Sequence, residues 1–198
     1  RSRDPANWED GRGFGMNAMV EKFEQFEWLI RGTTAKSPNF EPVVHGTNEK
    51  PLTYQDKLGA IASMDTDLAK AIASVIVFGP AAKADFDHVQ EHLANIMILN
   101  AVQDKRREPD GIKIKDLAKR VAFMVIQFTL DPTFEENFTA KGRLYAAGIG
   151  AHQMTLKAYD CTWKQYEKLM ALAIDSAIDE AAKAIRKYKK NTYKEFEA

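Results

Sequence analysis

Residues 148–170 read GIGAHQMTLKAYDCTWKQYEKLM. Two glycines, Gly148 and Gly150, close a helical run, a short mixed segment follows, and apolar residues then return every three or four positions. Tyr159, Trp163, Tyr166, Met170, Ala173, Ala177, Ala181 and Ile185 make one stripe, widened by Leu169, Ile174 and Ile178. That period belongs to one face of an α-helix and not to a strand. Thr162 and Gln165 have the spacing of a capping box, so a long helix is expected over 163–188. So wide a face has two uses. It packs on the protein's own core, or its aromatic part (Tyr159, Trp163, Tyr166 and Met170) is an interface for a partner helix or for a second copy, giving a homodimer.

Outward from this stretch the helical period continues. Val20, Phe23, Phe26, Trp28 and Ile30 predict a helix over 17–31, stopped by Gly32. The next twenty-one residues, 32–52, contain Pro38, Pro42, Pro51 and Gly46 and read as a loop. A loop that long is often functional. Thr53 is the expected N-cap of a helix reaching about Ala62, and Asp65 of one ending at Gly79. Pro80 suits the first turn of a fourth, which carries Phe86, Val89, Leu93, Ile96 and Met97. Lys115–Leu130 reads as a fifth helix. Thr133 and Glu136 suggest a capping box for a sixth over Phe134–Ala147, and residues 151–160 form a short seventh. The expectation is an all-α fold of roughly eight helices. Residues 1–16 are an N-terminal extension, 17–190 one helical domain, and 191–198 a fraying polar tail.

Composition narrows the class. The chain has 198 residues, 45% hydrophobic and 28% charged, with 28 basic and 28 acidic residues. This is globular, with a core of useful size. Cys161 is the one cysteine, so no intrachain disulfide can form and a reducing, cytoplasmic setting is expected. No apolar run approaches the roughly 18 residues of a membrane span, so no membrane association is expected. The opening RSRDPANWEDGRG has no signal-peptide core, and the missing initial methionine suggests a processed or trimmed chain.

Charge is uneven. Residues 141–194 hold eleven basic side chains against five acidic ones. This is the kind of local footprint that contact with a nucleic-acid backbone requires. The segment 143–164 also has the parts of a helix-turn-helix: small Ala146 and Ala147, the turn at Gly148, and Ile149 to fill the crease. In that arrangement Arg143, Gln153, Thr155, Lys157 and Lys164 face DNA, and Lys187, Lys189 and Lys190 anchor phosphates. A plain helical hairpin with a solvated face is the alternative.

Catalytic signals are weaker. His88, Glu91 and His92 fit His-x-x-Glu-His, in which two histidines one helical turn apart bind zinc and the glutamate is the base of a metal-dependent hydrolase. The three lie opposite Phe86, Val89 and Leu93, where a helix shows its solvated face; Glu167, 75 residues beyond His92, is an imaginable but remote third ligand. The serines have no nucleophile elbow around them, and Cys161 reads as a packing residue. GRGFG follows no strand, so no dinucleotide loop is expected. Neither catalytic residues nor a cofactor are expected.

One resemblance rests on FEQFEWLIRG, DTDLAKAI and the AAGI turn running into a long terminal helix. The order of these features resembles prophage late-gene antiterminators of the Q type. It covers about the last two thirds of the chain, with no motif matching letter for letter. The cysteine cluster of some members is missing. The resemblance implies a DNA-binding transcription regulator that loads onto RNA polymerase, with 143–164 as the reader. A helical interaction or assembly factor is the alternative from a different class.

Overall fold

The computed structural model describes residues 23–30 and 53–194. The expected extension 1–16, the loop 32–52 and the final four residues lie outside them. Residues 23–30 are helical (α1). The chain continues through α2 (Tyr54–Ala62), α3 (Asp67–Phe78), a 3-10 turn at Gly79–Ala81, α4 (Lys83–Gln103), α5 (Ile114–Leu130), α6 (Pro132–Glu136), α7 (Ala140–Ala146), α8 (Leu156–Thr162) and α9 (Lys164–Lys194). No strand occurs among the described residues, so the fold is all-α.

Short polar side chains set most helix starts. Thr53 caps α2 in a full capping box, its hydroxyl accepting from the Asp56 amide at 3.2 Å and its own amide donating to the Asp56 carboxylate at 2.8 Å. Thr66, not Asp65, caps α3, accepting from the Ala69 amide at 3.2 Å. The Thr66 amide donates to Glu180 at 2.8 Å, so its conformation is fixed from α9 as well as locally. Pro80 sits in the 3-10 turn and not in α4 itself, after Gly79 at φ 55°.

The expected sixth helix is two. Asp131 caps α6 by accepting from the Phe134 amide at 3.0 Å, and Thr139 caps α7 by accepting from the Gly142 amide at 3.1 Å. Thr139 has the extended backbone of an N-cap, φ −70° and ψ 161°, which interrupts any continuous helix there. Thr133 forms no capping box; its hydroxyl donates to the Asp131 carboxylate, and with the Phe134 amide this holds that carboxyl below its usual range. The expected helix over 151–160 begins later, at Leu156, after Thr155 caps it. The last helix reaches Lys194, more than a turn beyond the expected end.

By their internal contacts the residues group into two compact units, Arg1–Met64 with Ala181–Ala198, and Asp65–Glu180. In the first, Phe26, Leu29, Ala60, Ile61, Met64, Ala181 and Ile185 are buried. In the second, α4 packs on α3 and α5, and the interior holds Ile72, Leu93, Met97, Leu117, Val121, Ile126, Met170 and Ile174. Burying a side chain of this size contributes roughly 1.5–3 kcal/mol, so the 3.6-residue apolar period is the main stabilising term in both units.

Candidate nucleic-acid interface

The last stretch of α9, residues 181–194, holds Lys183, Arg186, Lys187, Lys189, Lys190 and Lys194 and no acidic residue. Its two faces differ sharply. Ala181, Ala182 and Ile185 are buried in the first unit. Tyr188 lies against α2 so closely that a Cβ on Gly59 would come within 2.6 Å of its hydroxyl oxygen. Lys189 places its ammonium 5.7 Å from the centre of the Trp28 ring, a cation–π contact with α1. Lys183, Arg186, Lys187 and Lys190 are all exposed. Their spacing of three and four aligns them along one line of the helix, opposite the buried face. Among the described residues none of these four is in an ion pair or hydrogen bond. At 1.5 Å per residue, Lys183 to Lys190 spans about 10 Å of unneutralised positive charge on a rigid support.

The segment expected to read DNA is built differently. A helix-turn-helix joins its helices with a turn of about 3–4 residues, but α7 ends at Ala146 and α8 begins at Leu156. The intervening residues are held by their own contacts. Gly148 has φ 76°, and its carbonyl accepts from the Arg120 guanidinium. Gln153, expected on the DNA face, lies inside this turn. Its side-chain oxygen accepts from Arg120 at 3.2 Å and from the Gly150 amide at 3.1 Å. Gly111 approaches the Gln153 backbone so closely that a Cβ there would sit 2.6 Å away. Thr155 is occupied as the α8 cap.

Arg143 is also committed internally. Its two terminal nitrogens lie 2.7 Å from Glu135 and 2.7 Å from Glu167, and its guanidinium stands 5.2 Å above the Phe128 ring. Glu167, 8% exposed, accepts a second bond from the Tyr159 hydroxyl at 2.7 Å. Burial, reinforced by the Glu167 charge, pushes that hydroxyl far above the ordinary tyrosine value, so it stays a neutral donor. The cluster joins α6, α7, α8 and α9. Lys164 pairs with Asp160 at 3.5 Å, while Lys157 is exposed. Of the eight residues expected to contact DNA, Lys157, Lys187 and Lys190 are thus solvent-facing without a partner among the described residues. Lys183 and Arg186 complete the stripe and were not singled out from the sequence; their shared spacing with Lys187 and Lys190 was the available signal.

The expected aromatic interface is corrected too. Tyr159, Trp163, Tyr166 and Met170 are buried within this chain, none more than 3% exposed. Tyr166 donates to Asp104 at 2.7 Å and accepts from Arg106 at 3.1 Å, joining the start of α9 to the end of α4. The exposed apolar side chains of the second unit are others, with Leu99, Val102 and Leu172 each more than 60% exposed.

His88, Glu91 and His92 lie on the exposed face of α4. Among the described residues no group of three or more His, Cys, Asp or Glu side chains is arranged to hold a metal. The inverted zinc-protease motif therefore has no third ligand grouped with it among the described residues. A depression of about 540 Å³ lies beside the α4–α5 loop, lined by Arg107, Lys113 and Arg120 and equally by Glu108, Asp110 and Asp116. Its mixed charge selects no ligand class.

No family model matches the chain, no curated protein matches it significantly in sequence, and no solved structure matches it significantly in fold.

Proposed function

We propose that the protein is a nucleic-acid-binding protein that grips phosphates through Lys183, Arg186, Lys187 and Lys190, and acts as a DNA-binding transcription regulator. The observation that carries this reading is the line of unpaired cations on α9. Four such groups on one helix line are a ready site for a polyanion, because each neutralised phosphate releases condensed counterions. Recognition of this kind holds the backbone and not the base edges. The tied-down turn at 148–153 supports assigning affinity to α9 and not to the expected helix-turn-helix. A lipid surface suits the site less well, since the apolar side of the same helix segment is already buried. Among the described residues no helix is long and apolar enough to cross a membrane.

The test is a salt titration of binding to random-sequence duplex DNA from about 50 to 200 mM. Three or four phosphate contacts correspond to a slope of log K against log salt of about −3 to −4. No binding at the lowest salt removes the proposal. A second reading, an assembly factor, is favoured by the exposed Leu99, Val102 and Leu172. A chain that ignores DNA but loses self-association or partner capture on Leu172→Asp supports that reading instead.

A further inference from the structure

We propose that His88 and His92 form a two-imidazole clamp for a borderline divalent transition metal ion of the nickel, copper or zinc kind. Both lie on α4, one helical turn apart, and both are exposed. Residues four apart on a helix have Cβ atoms about 5–6 Å apart on the same side. Two imidazoles so placed can turn one nitrogen each toward a common ion at about 2.0–2.1 Å. Imidazole is the side chain best matched to these ions. Neither ring is in a hydrogen bond or ion pair within the described chain, so neither must give up a protein contact to bind.

The backbone beneath the pair is already set. Val89, Leu93, Ala94 and Met97 are buried on the opposite side of α4, which packs on α3 and α5. The helix therefore holds the two ligands at the right separation before the ion arrives, whereas an unfolded chain does not. With no third protein ligand among the described residues, the remaining coordination positions go to water. The site binds an ion and fastens one turn of α4; it does not require Glu91 as a ligand or base. It is independent of the α9 phosphate stripe.

Nickel ion alone, titrated into the full chain, tests the clamp by calorimetry and by the melting temperature. One ion is expected per chain, with a melting temperature that rises as nickel is added, because the ion binds the folded state in preference to the unfolded one. His88→Ala and His92→Ala should each weaken binding by about tenfold or more and remove the rise. His152→Ala and His45→Ala should leave both unchanged, and Glu91→Gln should leave the affinity within about twofold. Since both clamp positions are exposed, these substitutions keep the fold, and the melting temperature without metal verifies it. Nickel binding that survives His88→Ala or His92→Ala overturns the proposal. So does a wild-type melting temperature that nickel does not raise. A collapse of affinity on Glu91→Gln replaces the clamp with a carboxylate-containing site.

Discussion

Lys57 is the residue whose placement conflicts most with its chemistry. It is 1% exposed, and its ammonium nitrogen is buried without a hydrogen-bond partner among the described residues. Burial lowers its proton affinity, because the charged form loses solvation that nothing replaces. The unfolded chain then binds a proton more tightly than the folded one, so this residue opposes folding whenever it is charged. The penalty is complete below the folded-state value and vanishes as pH rises past the ordinary lysine value of about 10.4. Stability should therefore climb with pH across that alkaline window. Lys57→Met should raise stability at neutral pH by about 1 kcal/mol and flatten the climb, as seen in thermal melts from pH 7.5 to 10.5. The Arg143 cluster has the opposite character. Arg143→Met leaves Glu167 buried with only the Tyr159 hydroxyl as donor, and the loss should be about 2 kcal/mol, reduced from a fully buried pair because Arg143 is 28% exposed. A urea midpoint unchanged by Arg143→Met would show that the cluster is not a stabilising tie.

At the scale of elements, helix ends decide more than helix middles. α4 finishes with Lys105 at φ 51°, the left-handed conformation usually given to glycine, while the Arg106 amide donates back to the Ala101 carbonyl at 2.8 Å. The side chain adds strain there, so Lys105→Gly should stabilise the second unit by about 1 kcal/mol, visible as a higher urea midpoint with unchanged slope. The gap between α6 and α7 rests on Thr139. Thr139→Ala removes its cap and should cost about 1 kcal/mol. The spacing of Thr133 and Glu136 predicts one cap and one helix there. Asp131 takes that role in the fold because Pro132 fits the first helical turn behind it and removes one amide that would need a partner.

For the whole molecule the consequence is that α9 contributes to both units and concentrates its exposed cations in its last part. The part of α9 from Lys164 to Glu180 contributes Tyr166, Met170 and Ile174 to the interior of one unit, and the part from Ala181 onward displays cations on the other. Lys187→Glu combined with Lys190→Glu should reduce duplex binding about tenfold or more at low salt without altering the melting temperature, since two attractive phosphate contacts become repulsive. Lys157→Glu, outside the stripe, should have a much smaller effect. If instead Lys157→Glu weakens binding as much as the double change, the segment before α8 is the nucleic-acid contact and the stripe is not.

Local chemistry was legible from the sequence because it acts within about one helical turn. The 3.6-residue apolar period gave the all-α class and the buried face of α9, and Thr53, with a short side chain next to a helix-forming run, marked the start of α2. Residue type alone marks the side chains expected to touch DNA, and type does not reveal a distant partner. Arg143 meets Glu167 across 24 positions, and Gln153 meets Arg120 across 33. Tyr166 finds Asp104 across 62. Only the tertiary structure brings these groups together, turning a supposed reader into an internal brace and a supposed interface into core. It also leaves Lys183, Arg186, Lys187 and Lys190 in one line on α9 without an acidic partner among the described residues.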